Sequence, residues 1–281
     1  MNLLYQNQIC HLASMHKKEK AIKEPFKKFL GCEVIPVDLN TDLFGTFTGE
    51  IERKLTPHKT AKEKCYKGLE IQGGTLGISS EGSFNPHPYF PFITANLEIL
   101  FFTDLNLGFE LTLTKLSTET NYSSQLIQST QELFNFANKA LFPSHALILG
   151  PEKANDPNLI FKGIQNPQEL ENIFYICMQN SKEASVFVET DMRAHMNPTR
   201  MKIIEELSYE MADRLKKRCP SCQIPGWGIV EKVSGLPCKA CYLPTDLIKS
   251  ESYGCCSCSY REEKELDREL ADPSLCPSCN P

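Results

Sequence analysis

Eight cysteines stand in four Cys-x-x-Cys pairs: Cys219/Cys222, Cys238/Cys241, Cys255/Cys258 and Cys276/Cys279. This spacing puts two thiolates on one side of a tight knuckle, and two knuckles supply the four soft ligands of a tetrahedral Zn²⁺. Four knuckles therefore predict two zinc sites, with every ligand a thiolate and no vacant position, which is a structural rather than a hydrolytic arrangement. A redox dithiol or a set of disulfides needs fewer and less regular pairs. Sequential pairing leaves ordinary zinc-ribbon spacings in both halves, whereas nesting joins the two middle pairs inside the outer ones. Residues 237–260 read as knuckle, hairpin, knuckle, which favours nesting. Cys256, beside a knuckle, is a spare thiol and a candidate alternative ligand.

Three polar segments upstream carry groups suited to phosphate. In the first, Ser14, His16 and Lys18 lie between a predicted strand and helix, where unpaired backbone N–H groups and the helix dipole favour an anion. In the second, Lys64 lies on a helix and Glu81 follows an apolar strand. A carboxylate there reaches into a cleft at the strand ends, and Glu81 with Glu50 or Asp104 makes a candidate Mg²⁺ pair, since that ion takes hard oxygen ligands. In the third, Arg193 and Arg200 are able to grip an anion bidentately, His195 to move a proton near neutral pH, and Asp191 to orient one of them. The structural alternatives are a solvated helix start with a Ser cap for the first segment, a surface turn residue for Glu81, and a salt-bridged junction that caps the long helix for the third.

The elements that must position these groups are legible as period. Predicted strands cover 9–14, 33–37, 75–80, 97–103, 108–115, 145–149 and 184–189. Predicted helices cover 18–30 (in two pieces, Pro25 opening the second), 60–68, 125–141, 167–178 and 198–217. Leu170, Ile173, Phe174 and Cys177 make one apolar helical face, as do Ile204, Leu207, Met211 and Leu215 on a helix opened by Asn197 as N-cap and Pro198 in its first turn. Residues 97–115 read as an antiparallel hairpin. The expected class is α/β: a mixed twisted sheet with flanking helices over residues 1–218, plus a small zinc-ribbon-like domain over 219–281.

The chain has 281 residues, a formal net charge of -5 and a pI near 5.8, which argues against coating nucleic acid by bulk charge. Its start lacks a secretory signal pattern, and residues 90–102, its most apolar stretch, are too short and interrupted to span a bilayer, so no membrane partner is expected. A cytoplasmic setting follows as the expectation, and in a reducing compartment thirteen cysteines serve as ligands and core residues rather than disulfides. Cys10, Cys32, Cys65 and Cys177, in apolar patterns, are assigned to the core.

The segments 13–19 (Ala-Ser-Met-His-Lys-Lys-Glu), 41–50 (Thr-Asp-Leu-Phe-Gly-Thr-Phe-Thr-Gly-Glu) and 80–84 (Ser-Glu-Gly-Ser-Phe, read as a turn), with the cysteine-rich tail, make the whole chain resemble an uncharacterised bacterial family, a domain of unknown function. More remotely, residues 9–115 are similar in order to the house-cleaning pyrophosphatases that destroy inosine and xanthosine triphosphates. Those open with a strand, a Thr-x-Asn-x-x-Lys phosphate loop and a helix, followed by a Lys/Ala-rich helix and an acidic strand end that binds Mg²⁺. That resemblance places Ser14, Lys18, Lys64 and Glu81 at matching positions and sets residues 193–200 against a basic stretch before the last helix. His16 stands where Asn is expected, and the zinc tail is foreign to those enzymes. The implied function is Mg²⁺-dependent hydrolysis of a nucleotide or related phosphoester. The alternative is a non-catalytic nucleotide- or nucleic-acid-binding module whose tail docks a nucleic acid or protein partner.

Overall fold

The computed structural model describes residues 3–45, 55–152 and 156–281. In chain order the elements are β1 (Ile9–Ala13), α1 (Glu19–Leu30), β2 (Glu33–Pro36), α2 (Pro57–Gln72), β3 (Leu76–Pro86), β4 (Thr94–Asp104), β5 (Phe109–Ser117), β6 (Ser124–Ile127), α3 (Thr130–Lys139), β7 (Leu147–Pro151), β8 (Phe161–Ile164), α4 (Pro167–Asn180), β9 (Val186–Thr190) and α5 (Pro198–Leu215). The tail adds β10 (Gly228–Ser234), β11 (Ile248–Gly254) and β12 (Arg261–Glu265).

The expected α/β class holds, with helices flanking twisted sheets, but the strand–helix alternation is divided between two sheets. One is mixed, in the order β2-β1-β3-β4-β5; β1 is parallel to both β2 and β3, and β3-β4-β5 is an antiparallel meander. The other is fully antiparallel, in the order β6-β9-β7-β8. Each has its own core. The first gathers Cys10, Leu12, Ile22, Phe26, Ile78, Leu100 and Phe102 with Ile204, Leu207, Met211 and Leu215 of α5. The second gathers Leu147, Leu149, Val186 and Val188 with Leu170, Ile173, Phe174 and Cys177 of α4. Both helical faces read from the sequence are therefore core faces, and Cys10, Cys32, Cys65 and Cys177 are all buried.

Several local readings are corrected. Pro25 does not open a second helix: α1 runs unbroken, and Pro25 is buried on the same face as Ala21, Ile22 and Phe26, so packing outweighs the roughly 3 kcal/mol cost of an interior proline. The start of the helix expected over 125–141 is β6, which pairs with β9; the helix begins only after Ser129, whose hydroxyl accepts from Glu132 N–H as its cap. Ser80 to Phe84 is not a turn. It continues β3 in register with β4, Gly82 opposite Glu98, and a Cβ at Gly82 would collide with Arg200 and Glu98, so the glycine serves a close approach of side chains rather than a bend. Asn197 does cap α5, accepting from Arg200 N–H, with Pro198 in the first turn.

In the tail, β10-β11-β12 form a three-stranded antiparallel sheet. The hairpin is wider than the 237–260 reading: β10 precedes the second knuckle and pairs with β11 beyond it, so that knuckle sits at the hairpin end. Trp227 packs against Tyr253 and Tyr260, and Ile224 and Cys256 lie against the core of the mixed sheet. Arg214 of α5 donates from Nη2 to the Gly226 carbonyl (2.8 Å) and from Nη1 to that of Ile229 (3.3 Å), so the chain is fastened to α5 just past the first knuckle. No helix among the described residues is long and apolar enough to cross a membrane.

Candidate functional site: two cysteine tetrads and a charged cluster

The four knuckles come together alternately. Cys219 and Cys222 meet Cys255 and Cys258, and Cys238 and Cys241 meet Cys276 and Cys279. Neither the sequential nor the nested pairing is realised: β10 and β11 carry the chain across and back between knuckles, so each tetrad takes its second knuckle from beyond one belonging to the other. The Sγ–Sγ separations are 3.8 Å (Cys219–Cys258), 3.6 Å (Cys222–Cys255), 3.9 Å (Cys238–Cys279) and 3.6 Å (Cys241–Cys276). A tetrahedron with Zn–S bonds of about 2.3 Å has edges of about 3.8 Å, so each tetrad fits zinc.

The knuckles are built to hold thiolates. Gln223 and Tyr242, each directly after a second cysteine, have left-handed backbone (φ 63° and 60°), which folds the chain back so that Cys219 N–H donates to the Ile224 carbonyl and Cys238 N–H to that of Leu243, each at 2.9 Å. Ser257 and Cys258 N–H donate to Cys255 Sγ at 3.3 and 3.4 Å. Burial disfavours charge on Cys255, but these backbone donors and the neighbouring thiols bring its pKa down to about 7. Cys256 is in neither tetrad: its thiol donates to the Pro225 carbonyl at 3.2 Å. Cys256→Ser is accordingly expected to keep both metal ions, measured as zinc per chain by elemental analysis.

The charged cluster forms where β1 stops and β3 runs on. The last pair of these strands is Ala13 with Ser79, and beyond it the backbone edge of β3 is open to the segment leading into α1. Lys18, at the N-cap of α1, is buried, and its ammonium donates to Ser80 Oγ at 3.1 Å and to the Ser80 carbonyl at 3.4 Å. Ser14 is also buried there and donates to the Met15 carbonyl at 3.3 Å. His16 and Lys17 are in left-handed backbone, and the ring of His16 stacks on that of His195 with centroids 5.2 Å apart and planes at 8°.

Strand alternation separates the remaining groups by face. Ser80 and Gly82 look toward α1 and α5, where Arg200 pairs with Glu98 (Nε to Oε1, 2.5 Å) and donates from Nη1 to the Met192 carbonyl at 2.5 Å. Glu81 looks toward α2 and pairs with the ammonium of Lys64. The two faces meet around Lys18. Burial pushes its pKa down to about 7; Arg200 pushes further, Glu98 and Glu81 oppose, and Lys64 adds to the fall. Burial likewise depresses His16 to about 3, helped by Lys18, His195, Arg200 and Arg193. His195 is lowered by burial and by Arg193, with Asp191 opposing. Arg193 is clamped by Asp191, from Nε at 3.0 Å and from Nη2 at 2.5 Å.

Of the site residues expected from sequence, Ser14, His16, Lys18, Lys64, Glu81, His195, Arg193 and Arg200 are thus neighbours around one strand end. Glu50 lies outside the described residues. Asp104 does not join them. It is five positions along the sheet from Glu81 in register, roughly 17 Å, where it caps the β4–β5 turn and accepts from the Tyr5 hydroxyl. Glu98, fully buried, was missed as a site residue; its signal was a lone carboxylate in an apolar strand, which demands a buried partner.

A family model described as "Domain of unknown function (DUF6671)" matches residues 64–281. The chain belongs to that family. No curated protein matches it. The DUF6671 match takes in both cysteine tetrads together with Lys64, Glu81, Glu98 and the 191–200 segment. Ser14, His16 and Lys18 precede it, on the loop after β1, the strand that sits between β2 and β3 and completes the DUF6671 member's mixed sheet.

Proposed function

We propose that the strand-end cluster binds the phosphate portion of a nucleotide or related phosphoester and hydrolyses it with Mg²⁺, while the zinc tail holds the fold together in a reducing, cytoplasmic setting. The observation that carries the reading is Lys18: a buried ammonium at the carboxyl end of a parallel strand, whose hydrogen bonds both go to the neutral groups of Ser80. A buried cation without a carboxylate in contact is costly, and an anionic ligand supplies the missing charge. His16, His195 and Arg193 stand beside it to meet further phosphate oxygens. Arg200, committed to Glu98 and the Met192 carbonyl, holds the segment carrying Arg193 and His195. Glu81 is the candidate Mg²⁺ ligand and must exchange Lys64 for the ion. The metal would supply charge neutralisation and an activated water.

The pairing of Glu81 with Lys64 and of Glu98 with Arg200 favours a second reading, a binding module that leaves its ligand unchanged and uses the tail to dock a partner. Screening nucleoside triphosphates with Mg²⁺ separates the two. Turnover abolished in Glu81→Gln supports hydrolysis; thermal stabilisation without turnover supports the module; neither effect would sink both.

Lys18 also yields a stability signature. Its folded pKa, near 7, lies below that of an ordinary lysine, so the unfolded chain binds more protons between those two values and stability rises with pH through that window. The penalty of burying the charge is complete below pH 7 and vanishes above about 10.5. Lys18→Met is therefore expected to raise Tm at pH 6–7, with the gain fading toward pH 10, while losing phosphate affinity. A lower Tm at every pH would show that Lys18 is structural.

A further inference from the structure

The mixed sheet continues past the charged cluster, and the same face of β3 that presents Ser80 and Gly82 presents Phe84. Phe84 carries two ring contacts: the guanidinium of Arg200 lies 5.6 Å from its ring centroid, and Tyr122 stacks on it, 5.3 Å away and 4° from parallel. Tyr122 has one face on Phe84 yet is 48% exposed, so its other face is open. The segment that carries it is held in place. Ser123 N–H donates to Thr190 Oγ1 at 3.1 Å, Thr190 N–H donates to the Ser123 carbonyl at 3.0 Å, and Asn197 Nδ2 donates to Asn121 Oδ1 at 2.8 Å. These anchors flank the 191–197 segment that carries Arg193 and His195, so Tyr122 is fixed relative to the cluster.

We infer that the open face of Tyr122 is a stacking subsite for the nucleobase of a nucleoside di- or triphosphate whose phosphates lie at Lys18. This rests on the phosphate reading above and names its substrate class. Four strand positions from Ser80 to Phe84 span about 13 Å, comparable with an extended nucleoside triphosphate from its terminal phosphate to its base. A flat ring added to the exposed side of Tyr122 extends its stacking with Phe84, and stacking of this kind tolerates any base because each has a π-face.

The test is calorimetric titration of the zinc-loaded full chain, in Mg²⁺-free buffer, with guanosine triphosphate and with inorganic tripolyphosphate. Tyr122→Ala is expected to weaken guanosine triphosphate by about 5- to 150-fold and tripolyphosphate by less than about twofold, while Tyr122→Phe keeps both affinities. Unchanged guanosine triphosphate binding in Tyr122→Ala, or an equal loss for the two ligands, overturns the subsite while wild-type tripolyphosphate binding still upholds the phosphate site. A wild-type protein that binds neither ligand defeats the phosphate reading and the subsite with it.

Discussion

Removing zinc is expected to unfold the tail and to destabilise what it is fastened to. The tail's folded interior is small: Trp227 with two tyrosines, the buried Leu236 and Ala271, and the short contact of Ile224 and Cys256 with the main core. Metal–thiolate bonds must therefore supply most of its folding free energy, on the order of 10 kcal/mol per site. Chelation at neutral pH should abolish the dispersion of amide signals from residues 219–281 and lower Tm for the rest, since Arg214 loses the carbonyls of Gly226 and Ile229 and Ile224 leaves the core. The two tetrads are not equivalent in this respect. The Cys219 site touches the main core through Ile224 and Cys256, so Cys219→Ser is expected to lower the whole chain's Tm more than Cys238→Ser. Unfolding scans of the two variants, with zinc content measured in each, check this. A tail that keeps its fold in a chelator would contradict it.

The second large effect is expected at Glu98. Replacing it with methionine strands the guanidinium of Arg200, which is 1% exposed, and breaking one side of a buried pair costs about 3–5 kcal/mol, roughly 10 °C in Tm for a chain of this size. Glu98→Met/Arg200→Met should cost less than the sum of the single changes, because the uncompensated charge is gone in the double variant. Chemical denaturation of the four proteins closes the cycle. Additive losses would mean that the pair is not coupled and that Arg200 is held by its other contacts.

What could be read in the sequence followed the range of each signal. Local periodicity identified the α4 and α5 faces correctly, because a buried stripe needs only residues three and four apart, and the Asn197 cap because it is satisfied within its own turn. The cysteine knuckles were legible for the same reason: two thiols three residues apart are a complete half-site. Pairing was not legible, because which knuckles meet depends on β10 and β11, whose alternating polar sequences are weak strand signals. The partition into two sheets was hidden likewise, since β6 and β8 have four residues each and β6 forms only against β9, far along the chain. Around the charged cluster, loop chemistry drew attention to Lys18, Glu81 and Arg193. Glu98 escaped because its meaning lies in a partner 102 positions away, and Gly82 was misread because glycine's role there is to admit Arg200 rather than to turn the chain.

Zinc content of one double variant tests the alternating arrangement most directly. Wild-type protein is expected to carry two zinc ions per chain, one for each tetrad. In Cys219→Ser/Cys255→Ser both substitutions fall in the same tetrad, so one ion should remain, held by Cys238, Cys241, Cys276 and Cys279. With sequential or nested knuckles the two changes would strike different sites, and a variant retaining no zinc would contradict the alternating arrangement.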